Sequence, residues 1–340
     1  MALTHGGQLS KVTQSLGLDT EDWLDLSTGI SPFSYPIPLI PEAVWRELPE
    51  QKHSLLRAAQ DYYAVKQLLV TSGSQAVIQK LPLLWDKKPA SQTKVLVPEI
   101  GYKEHEKSWS DAGFEVERYQ QLPGENQLYE NCILIVINPN NPSGKKLELR
   151  CLRALQKQIN KLNGWLIVDE AFIDVYPKSD SIMPFASDDG IFVLRSIGKF
   201  FGLAGIRVGF VSCHSYWLNK LDDLFGPWPV NGPALYIVEK ALANESWQKA
   251  QRKRLSSSTT RLINLLMVSF PNSIESISGT DLFVTLKHPQ AVKIFQTLCN
   301  QKIYIRLCDD KQAIRIGIPN NQDFKRFAEG LKMVLDEIIT

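Results

Sequence analysis

The sequence predicts an α/β protein with three parts: a large domain on a mainly parallel, doubly wound sheet, a small α+β C-terminal domain and an N-terminal arm. Three features indicate this class. Short apolar runs alternate with longer amphipathic stretches up to about residue 211, strand and helix patterns alternate again after residue 280, and the N-terminal region is irregular. With 340 residues the chain is long enough for more than one domain.

The N-terminal region predicts an arm that precedes the first regular helix. Leu24–Pro41 is rich in Pro, Ser and Gly, which is typical of an irregular, extended segment. The first regular helix is predicted at about Ser54–Val65. We therefore predict that residues 1–45 form an arm packing with the small domain, that 46–232 form the large domain, and that 233–340 form a linking helix and the small domain.

Six apolar runs predict the strands of the large domain. Continuous apolar runs of this length suit strands that helices cover on both faces. The runs are Leu68–Val70, Lys94–Val97, Ile133–Ile137, Trp165–Val168, Ile191–Leu194 and Ile206–Val211. Their alternation with amphipathic stretches predicts parallel strands joined by helices.

The C-terminal third predicts the small α+β domain. A long helical pattern runs from Pro233 to about Phe270. The elements predicted after it are a strand at Asp281–Lys287, a helix at Gln290–Asn300, strands at Ile303–Arg306 and Ala313–Ile318, and a final helix from Asn321.

Composition and simple sequence patterns argue against several classes of function. The formal net charge of +2 and the absence of a Lys/Arg block disfavour nucleic acid or a membrane surface as partner, so a small molecule is expected. The first residues lack a signal-peptide pattern, and Cys132–Ile137 is too short to span a bilayer, so a cytoplasmic location is expected. The five cysteines form no C-x-x-C pair, which argues against a zinc site or a disulfide framework.

Polar residues follow the predicted strands, where ligands bind in open α/β sheets. Thr71–Ala76 follows the first run and offers backbone N–H groups to an anion, although Gly73-Ser74 also fits a plain turn and helix cap. Neither G-x-x-x-x-G-K-[ST] nor G-x-G-x-x-G occurs, which disfavours nucleotide binding. The later runs are followed by N-P-N-N-P-S-G at 138–144, Asp169-Glu170-Ala171-Phe172, and Ser196-x-x-Lys199 with Arg207 eight residues after the lysine.

These motifs and their order resemble those of the fold-type I superfamily of pyridoxal 5'-phosphate (PLP) enzymes, which includes the class I/II aminotransferases. The resemblance runs through nearly the whole chain. It implies the fold-type I transferase fold, PLP as cofactor, no metal, and a symmetric homodimer.

The resemblance also implies roles for individual residues. Lys199 is the implied catalytic residue, which forms the Schiff base with the cofactor and moves the proton at the substrate Cα. Asp169 pairs with the pyridinium nitrogen, and Asn141 donates a hydrogen bond to the phenolic oxygen. Tyr102 covers the pyridine face. The implied ligands of the cofactor phosphate are Ser74, Ser196 and Arg207, of which the arginine supplies charge-assisted bonds, and Gln75 is a further implied cofactor-binding residue.

The N-terminal segment narrows the resemblance. His5-Gly6-Gly7, followed by Trp23–Pro32, resembles the threonine-phosphate decarboxylases of cobalamin biosynthesis, a family close to the histidinol-phosphate aminotransferases. This implies a lyase that converts L-threonine O-3-phosphate to (R)-1-amino-2-propanol O-2-phosphate. The implied substrate-binding residues are His5, Gly6, Gly29, Asn141, Arg306 and Arg315.

A phosphorylated amino acid carries two anions, so its site needs two separate anchors. Arg315, in A-I-R-I-G-I, matches the arginine that binds the substrate carboxylate across the superfamily. Arg306, on the preceding predicted strand, and His5 are candidates for the substrate phosphate.

Several alternatives stay open at this point. Decarboxylation requires the carboxylate to stand perpendicular to the cofactor ring, whereas transamination requires the Cα–H bond there, and no motif shows this angle. Phe172 stands where many aminotransferases have a tyrosine that contacts the phenolic oxygen, and His53 stands where relatives often have a tyrosine that reaches the partner subunit's cofactor. A non-catalytic binding protein of the same fold is disfavoured, because such a protein has no chemical need to keep the four residues Lys199, Asp169, Asn141 and Arg207.

Overall fold

The chain forms two compact units. The computed structural model describes residues 6–339, without the side chains at 274, 275, 338 and 339. Within these residues the small unit comprises 6–34, Pro142–Gly144 and 249–339, and the large unit comprises Tyr35–Asn141 and Lys145–Gln248. The predicted domain boundaries at residues 45 and 232 stay predictions.

The large unit is built on a seven-stranded sheet with the order β2-β8-β7-β6-β5-β3-β4. Only β8 runs antiparallel to its neighbours, so the predicted mainly parallel sheet and α/β class are confirmed. Its strands are β2 (Leu69–Thr71), β3 (Lys94–Pro98), β4 (Glu115–Tyr119), β5 (Ile133–Ile137), β6 (Trp165–Asp169), β7 (Ile191–Ser196) and β8 (Gly209–Ser212).

One strand of this sheet escaped the sequence analysis. β4 reads E-V-E-R-Y, and none of its residues is buried. It lies at the edge of the sheet beside β3. An edge strand with charged, exposed side chains does not produce the continuous apolar run that marked β5 and β6, whose residues are all buried.

Helices cover the sheet of the large unit. In α6 the buried Leu152, Leu155 and Ile159 recur at helical spacing and form its inward face. The helices of this unit are α2 (Glu42–Arg46), α3 (His53–Tyr63), α4 (Ser74–Lys80), α5 (Glu104–Asp111), α6 (Leu149–Lys161), α7 (Ile197–Phe200), α8 (Ser215–Phe225) and α9 (Gly232–Ala243). Among the helices described, none is both long and apolar enough to cross a bilayer.

The small unit contains two sheets. β1 (Leu24–Asp25) pairs in parallel with β11 (Ile303–Tyr304). The second sheet is antiparallel with the order β12-β13-β10-β9. Its strands are β9 (Ile277–Thr280), β10 (Phe283–Lys287), β12 (Arg306–Leu307) and β13 (Ala313–Gly317), and its helices are α1 (Leu9–Leu16), α11 (Ala291–Asn300), α12 (Asp323–Ile339) and most of α10 (Glu245–Ser269).

Two helix predictions were wrong in detail. The helix predicted at about Ser54–Val65 is present as α3, but it is not the first helix, because α1 and α2 precede it. The single helix predicted from Pro233 to Phe270 is two helices, α9 and α10, separated at Asn244. The Asn244 side chain accepts hydrogen bonds from the backbone N–H of Trp247 and the hydroxyl of Ser246, so it caps α10 and ends the continuous pattern there.

Candidate active site

The carboxyl ends of β2 and β7 lie on the two sides of β8, which separates the two strands in the sheet. The register pairs Thr71 with Gly209, and Gly209 in turn with Ser196. A Cβ on Gly209 would lie 2.6 Å from the backbone N of Ser74 and 2.8 Å from the carbonyl O of Arg195. Only glycine therefore allows this approach. It brings the predicted phosphate ligands Ser74 and Ser196 to the same edge of the sheet.

Arg207 completes this group. Its backbone is in the left-handed region, with φ of 54°, and its side chain is exposed. A Cβ on Gly73 would lie 3.0 Å from the Arg207 Nη2 atom, and Gly73 itself has φ of 85°. Glycine at this position leaves open the space between the first turn of α4 and the guanidinium. A guanidinium, the hydroxyls of two serines and the backbone N–H groups at the start of a helix are donors that suit a phosphate.

Asp169 ends β6 and is buried, with 4% of its surface exposed. Its Oδ1 atom accepts a hydrogen bond from the backbone N–H of Ala171 at 3.0 Å. Its Oδ2 atom lies 3.0 Å from Nε2 of His105, which is also buried. The carboxylate is therefore held in one orientation from two sides.

His105 was missed by the sequence analysis. It lies on α5, four residues before the buried Trp109, so both side chains occupy the inward face of that helix. A histidine at a buried helical position three residues after Tyr102 is the signal that could have identified it.

Lys199 lies in α7, directly after β7, and is half-buried. The two residues that follow it, Phe200 and Phe201, are fully buried and hold this turn in the core. The Lys199 Nζ atom lies 5.5 Å from the centre of the Phe172 ring, within the range of a cation–π contact. Phe172 carries no hydroxyl, so an aromatic face and not a phenol borders the lysine.

A chain of hydrogen bonds orients Tyr102. Its hydroxyl donates to Oε1 of Gln75 at 3.0 Å, and Nε2 of Gln75 donates to Glu104 at 2.9 Å. The side chain of Gln75 thus positions the Tyr102 ring. The backbone N–H of Gln75 lies in the first turn of α4, where such groups are available to an anion.

Asn141 lies in a closed loop after β5. The backbone N–H of Asn140 donates to the carbonyl of Lys145 at 2.9 Å, and the Asn140 side chain donates to the carbonyl of Ile100 at 2.8 Å. The carboxyl ends of β5 and β6 are neighbours, since Ile137 pairs with Asp169. Asn141 and Asp169 therefore follow adjacent strand ends in the large unit.

A buried ionic cluster links the strand ends that carry Asp169 and Lys199. Arg195, at the end of β7, contacts the carboxylates of Glu170 and Asp174. Glu170 also accepts bonds from Ser181 and from the backbone N–H of Ile182. Burial raises the pKa of Glu170, against the opposing charge of Arg195. The sequence analysis did not identify this cluster, because no short motif links Arg195 to the two carboxylates that it contacts.

In the small unit, Arg315 and Arg306 are directly opposite each other on β13 and β12. Arg315 is buried, and its Nη2 atom donates to the carbonyl of Ser27 at 2.6 Å. Burial, and next the charge of Arg306, lowers the pKa of Arg315 to about 10. Arg306 pairs with Asp309, which is largely exposed. Two adjacent guanidiniums of this kind favour an anionic ligand.

Gly6 and Gly7, the described part of the N-terminal motif, lie close to Arg315. The backbone N–H of Gly7 donates to the Ser27 hydroxyl at 2.8 Å. A Cβ on Gly6 would lie 2.3 Å from the Ser27 carbonyl O and 3.4 Å from Arg315 Nη2. Gly29 is buried in the same segment. The structure thus brings Gly6 to Arg315, as far as the described residues extend.

The structure groups the predicted residues within each unit. The cofactor candidates Ser74, Gln75, Tyr102, Asn141, Asp169, Ser196, Lys199 and Arg207 all belong to the large unit, and Gly6, Gly29, Arg306 and Arg315 belong to the small unit. His5 lies outside the described residues. His53 is exposed at the start of α3. An amine, a buried carboxylate and a phosphate cradle kept open by Gly73 fit PLP.

Comparisons with known proteins agree with this fit. The family model for aminotransferase class I and II matches residues 45–331. The chain is 37% identical to a threonine-phosphate decarboxylase of Pseudomonas aeruginosa, over 94% of each chain. It is 36% identical to a threonine-phosphate decarboxylase from a Sinorhizobium species, over 97% of each.

A solved structure shows the same fold. Histidinol-phosphate aminotransferase from Sinorhizobium meliloti, in complex with pyridoxal-5'-phosphate, superposes with a TM-score of 0.80 at 17% identity, covering 99% of this chain and 96% of that one. The family and the fold-type I class predicted from the motifs are thereby confirmed. The chain belongs to the class I and II aminotransferase family.

Proposed function

We propose that this chain is a PLP-dependent lyase that decarboxylates L-threonine O-3-phosphate to (R)-1-amino-2-propanol O-2-phosphate, a step of cobalamin biosynthesis. The observation that carries the proposal is the pair Arg306 and Arg315 beside Gly6, because a substrate with two anions needs two cationic anchors. The two relatives at 36–37% identity, both threonine-phosphate decarboxylases, support the same substrate.

PLP, when bound, supplies an electron sink for the bond that breaks at the substrate Cα. The residues of the large unit would hold and tune it. Ser74, Ser196 and Arg207 would bind its phosphate, and Asp169 would keep the pyridine nitrogen protonated. His105 holds the Asp169 carboxylate in place. Asn141 would donate to the phenolic oxygen, and Tyr102 would cover the ring.

The remaining roles concern the substrate. Lys199 would hold the cofactor through its side-chain amine and would deliver a proton to the substrate Cα. Arg315 binds the substrate carboxylate, and Arg306 binds the phosphate together with His5. Gly6 and Gly29 shape the backbone around these anions, and Asn141 contacts the substrate as well as the cofactor.

The proposal includes the assembly and its location. Ile37, Leu39, Trp45 and Leu48 are large apolar side chains that are all exposed and lie close together in the sequence, and 94% of Leu39 is exposed. Exposed apolar side chains in one stretch support a homodimer, in which a second copy would cover them. A cytoplasmic location follows from the proposed substrate, since a phosphorylated, doubly anionic metabolite does not cross membranes unaided.

Product analysis tests the proposed reaction directly. The PLP-loaded protein is mixed with L-threonine O-3-phosphate in the absence of any keto acid. We expect multiple turnovers that release one molecule of aminopropanol phosphate for each molecule of carbon dioxide, because decarboxylation needs no amino acceptor. L-threonine, which lacks the phosphate, is the control substrate, and it should react poorly because one cationic anchor is left without an anion.

The alternative is an aminotransferase such as one acting on histidinol phosphate. It would accumulate the pyridoxamine form of the cofactor and a keto acid. It could also show no reaction until histidinol phosphate and a keto acid are supplied. Either result would overturn the decarboxylase proposal.

The contact between His105 and Asp169 gives a second prediction. In His105→Leu, Asp169 loses the partner of its Oδ2 atom, and a hydrogen bond to a charged group contributes about 1.5–3 kcal/mol. We expect kcat/KM to fall by about 10- to 150-fold. The measurement is steady-state decarboxylation in His105→Leu, with His214→Asn as the control, because His214 is a half-buried cap of α8. Equal activity of both variants and wild type would remove His105 from the site.

A further inference from the structure

The loop that carries Asn141 is shared between the two units. Asn140 and Lys145, which close the loop through a backbone hydrogen bond of 2.9 Å, belong to the large unit. The three residues between Asn141 and Lys145, Pro142–Gly144, belong to the small unit. We call Pro142–Gly144 the tongue. Asn141 is joined to it by a single peptide bond.

A threonine of the small unit holds the tongue. The Thr285 hydroxyl donates a 2.6 Å hydrogen bond to the carbonyl of Pro142, the residue that directly follows Asn141. Thr285 is 3% exposed and lies at the centre of β10. There it is directly opposite Arg315 on β13. The Thr285 side chain that makes this bond is buried and Pro142 is half-buried, so a substitution that removes the hydroxyl removes a well-ordered partner of the Pro142 carbonyl.

Two glycines let the tongue lie directly on the small unit's backbone. A Cβ on Gly144, which has φ of 69°, would lie 2.4 Å from the Cα, C and O atoms of Gly279. A Cβ on Gly279 would lie 2.3 Å from the carbonyl O of Phe283. No side chain fits at either position. The tongue is therefore fixed by backbone packing at Gly144 and by the Thr285 hydrogen bond at Pro142.

We infer that Thr285 is a positioning residue for Asn141: its bond to the Pro142 carbonyl sets where the Asn141 amide stands. The inference rests on the proposed role of Asn141 as donor to the phenolic oxygen of PLP. It adds a residue that lies in the small unit and has no role among the cofactor or substrate ligands. Because Thr285 is paired with Arg315, the strand pair that carries the carboxylate anchor also holds the neighbour of Asn141.

The test is a spectrophotometric pH titration of the lysine-bound cofactor. A hydrogen bond donated to the phenolic oxygen stabilises its deprotonated form, and so lowers the pKa of the proton that it shares with the Lys199 nitrogen. Loss of the donor therefore raises the apparent pKa of the absorbance change. We expect Asn141→Ala to raise it by about 0.7 unit, the equivalent of one hydrogen bond of about 1 kcal/mol. Thr285→Val should raise it in the same direction, by at least about 0.3 unit.

Two further variants separate positioning from stability. Thr285→Ser keeps the hydroxyl and should titrate like wild type. Thr297→Val is the matched control, because Thr297 is also a buried threonine of the small unit, 4% exposed, with a 2.6 Å bond to Glu337. It should lower the melting temperature without moving the titration. If Thr285→Val does not fold, Thr285→Ala takes its place with the same expected shift.

The outcomes distinguish the inference from the function on which it rests. A shift in Asn141→Ala with none in Thr285→Val overturns the inference and leaves the role of Asn141 intact. No shift in Asn141→Ala overturns both. A shift in Thr297→Val equal to that in Thr285→Val would mean that any loosening of the small unit moves the titration, and this also overturns the inference.

Discussion

Lys199→Ala is expected to lose both the absorbance band of the lysine-bound cofactor and turnover. The only amine proposed to bind the cofactor aldehyde is then absent, and so is the group that moves the proton at Cα. Loss of a positioned proton-transfer group alone costs about 10²- to 10⁴-fold. The measurements are the absorption spectrum after addition of PLP and the rate of carbon dioxide release.

The control for this variant is Lys103→Ala. Lys103 is a partly buried lysine of the same unit that pairs with Glu106. It should keep the band and the activity of wild type. A Lys199→Ala protein that kept both the band and its turnover would overturn the cofactor assignment.

Asp169→Asn is expected to bind PLP and show the absorbance band, yet to lose most of its turnover. The amide keeps the shape of the carboxylate but carries no charge to hold the proton on the pyridine nitrogen. Removing one partner of a buried, hydrogen-bonded charge pair costs about 2–5 kcal/mol. This corresponds to a fall in kcat/KM of about 30- to several thousand-fold.

Glu170→Gln provides the matched control for Asp169→Asn. Glu170 is the next residue, is equally buried, and is held by Arg195 and Ser181 in the ionic cluster. Its substitution should lower the melting temperature, because Arg195 loses one of its two carboxylate partners. The absorbance spectrum should not change. If Glu170→Gln reduced kcat/KM as much as Asp169→Asn, the proposal that Asp169 holds the proton on the pyridine nitrogen would be wrong.

The strands of the large unit were predictable because burial on both faces leaves a direct mark on the sequence. β5 was predicted with its observed bounds, since all five of its residues are buried. β4 left no such mark because it lies exposed at an edge. The break between α9 and α10 also escaped, because it depends on a single capping side chain, Asn244, inside a continuous helical pattern.

Part of the candidate site could be predicted from the positions of the strand ends. Lys199, Asp169, Asn141 and Arg207 follow strand ends, where the chemistry of an open α/β sheet is located. His105 and Thr285 could not be found by that rule. His105 acts through a helix face that reads as ordinary core, and Thr285 acts through a backbone carbonyl more than one hundred residues away in the chain.

The sequence by itself determined the fold class, the family and the residue types at the strand ends, because periodicity and strand-end motifs are local properties of the chain. Only the tertiary structure decided which distant residues meet. It placed Gly209 close to Ser74 and Arg195, His105 against Asp169, Arg306 opposite Arg315, and the Thr285 hydroxyl against the carbonyl of Pro142. The physical reason is that strand register and backbone packing bring these pairs together, and neither is encoded in any single segment.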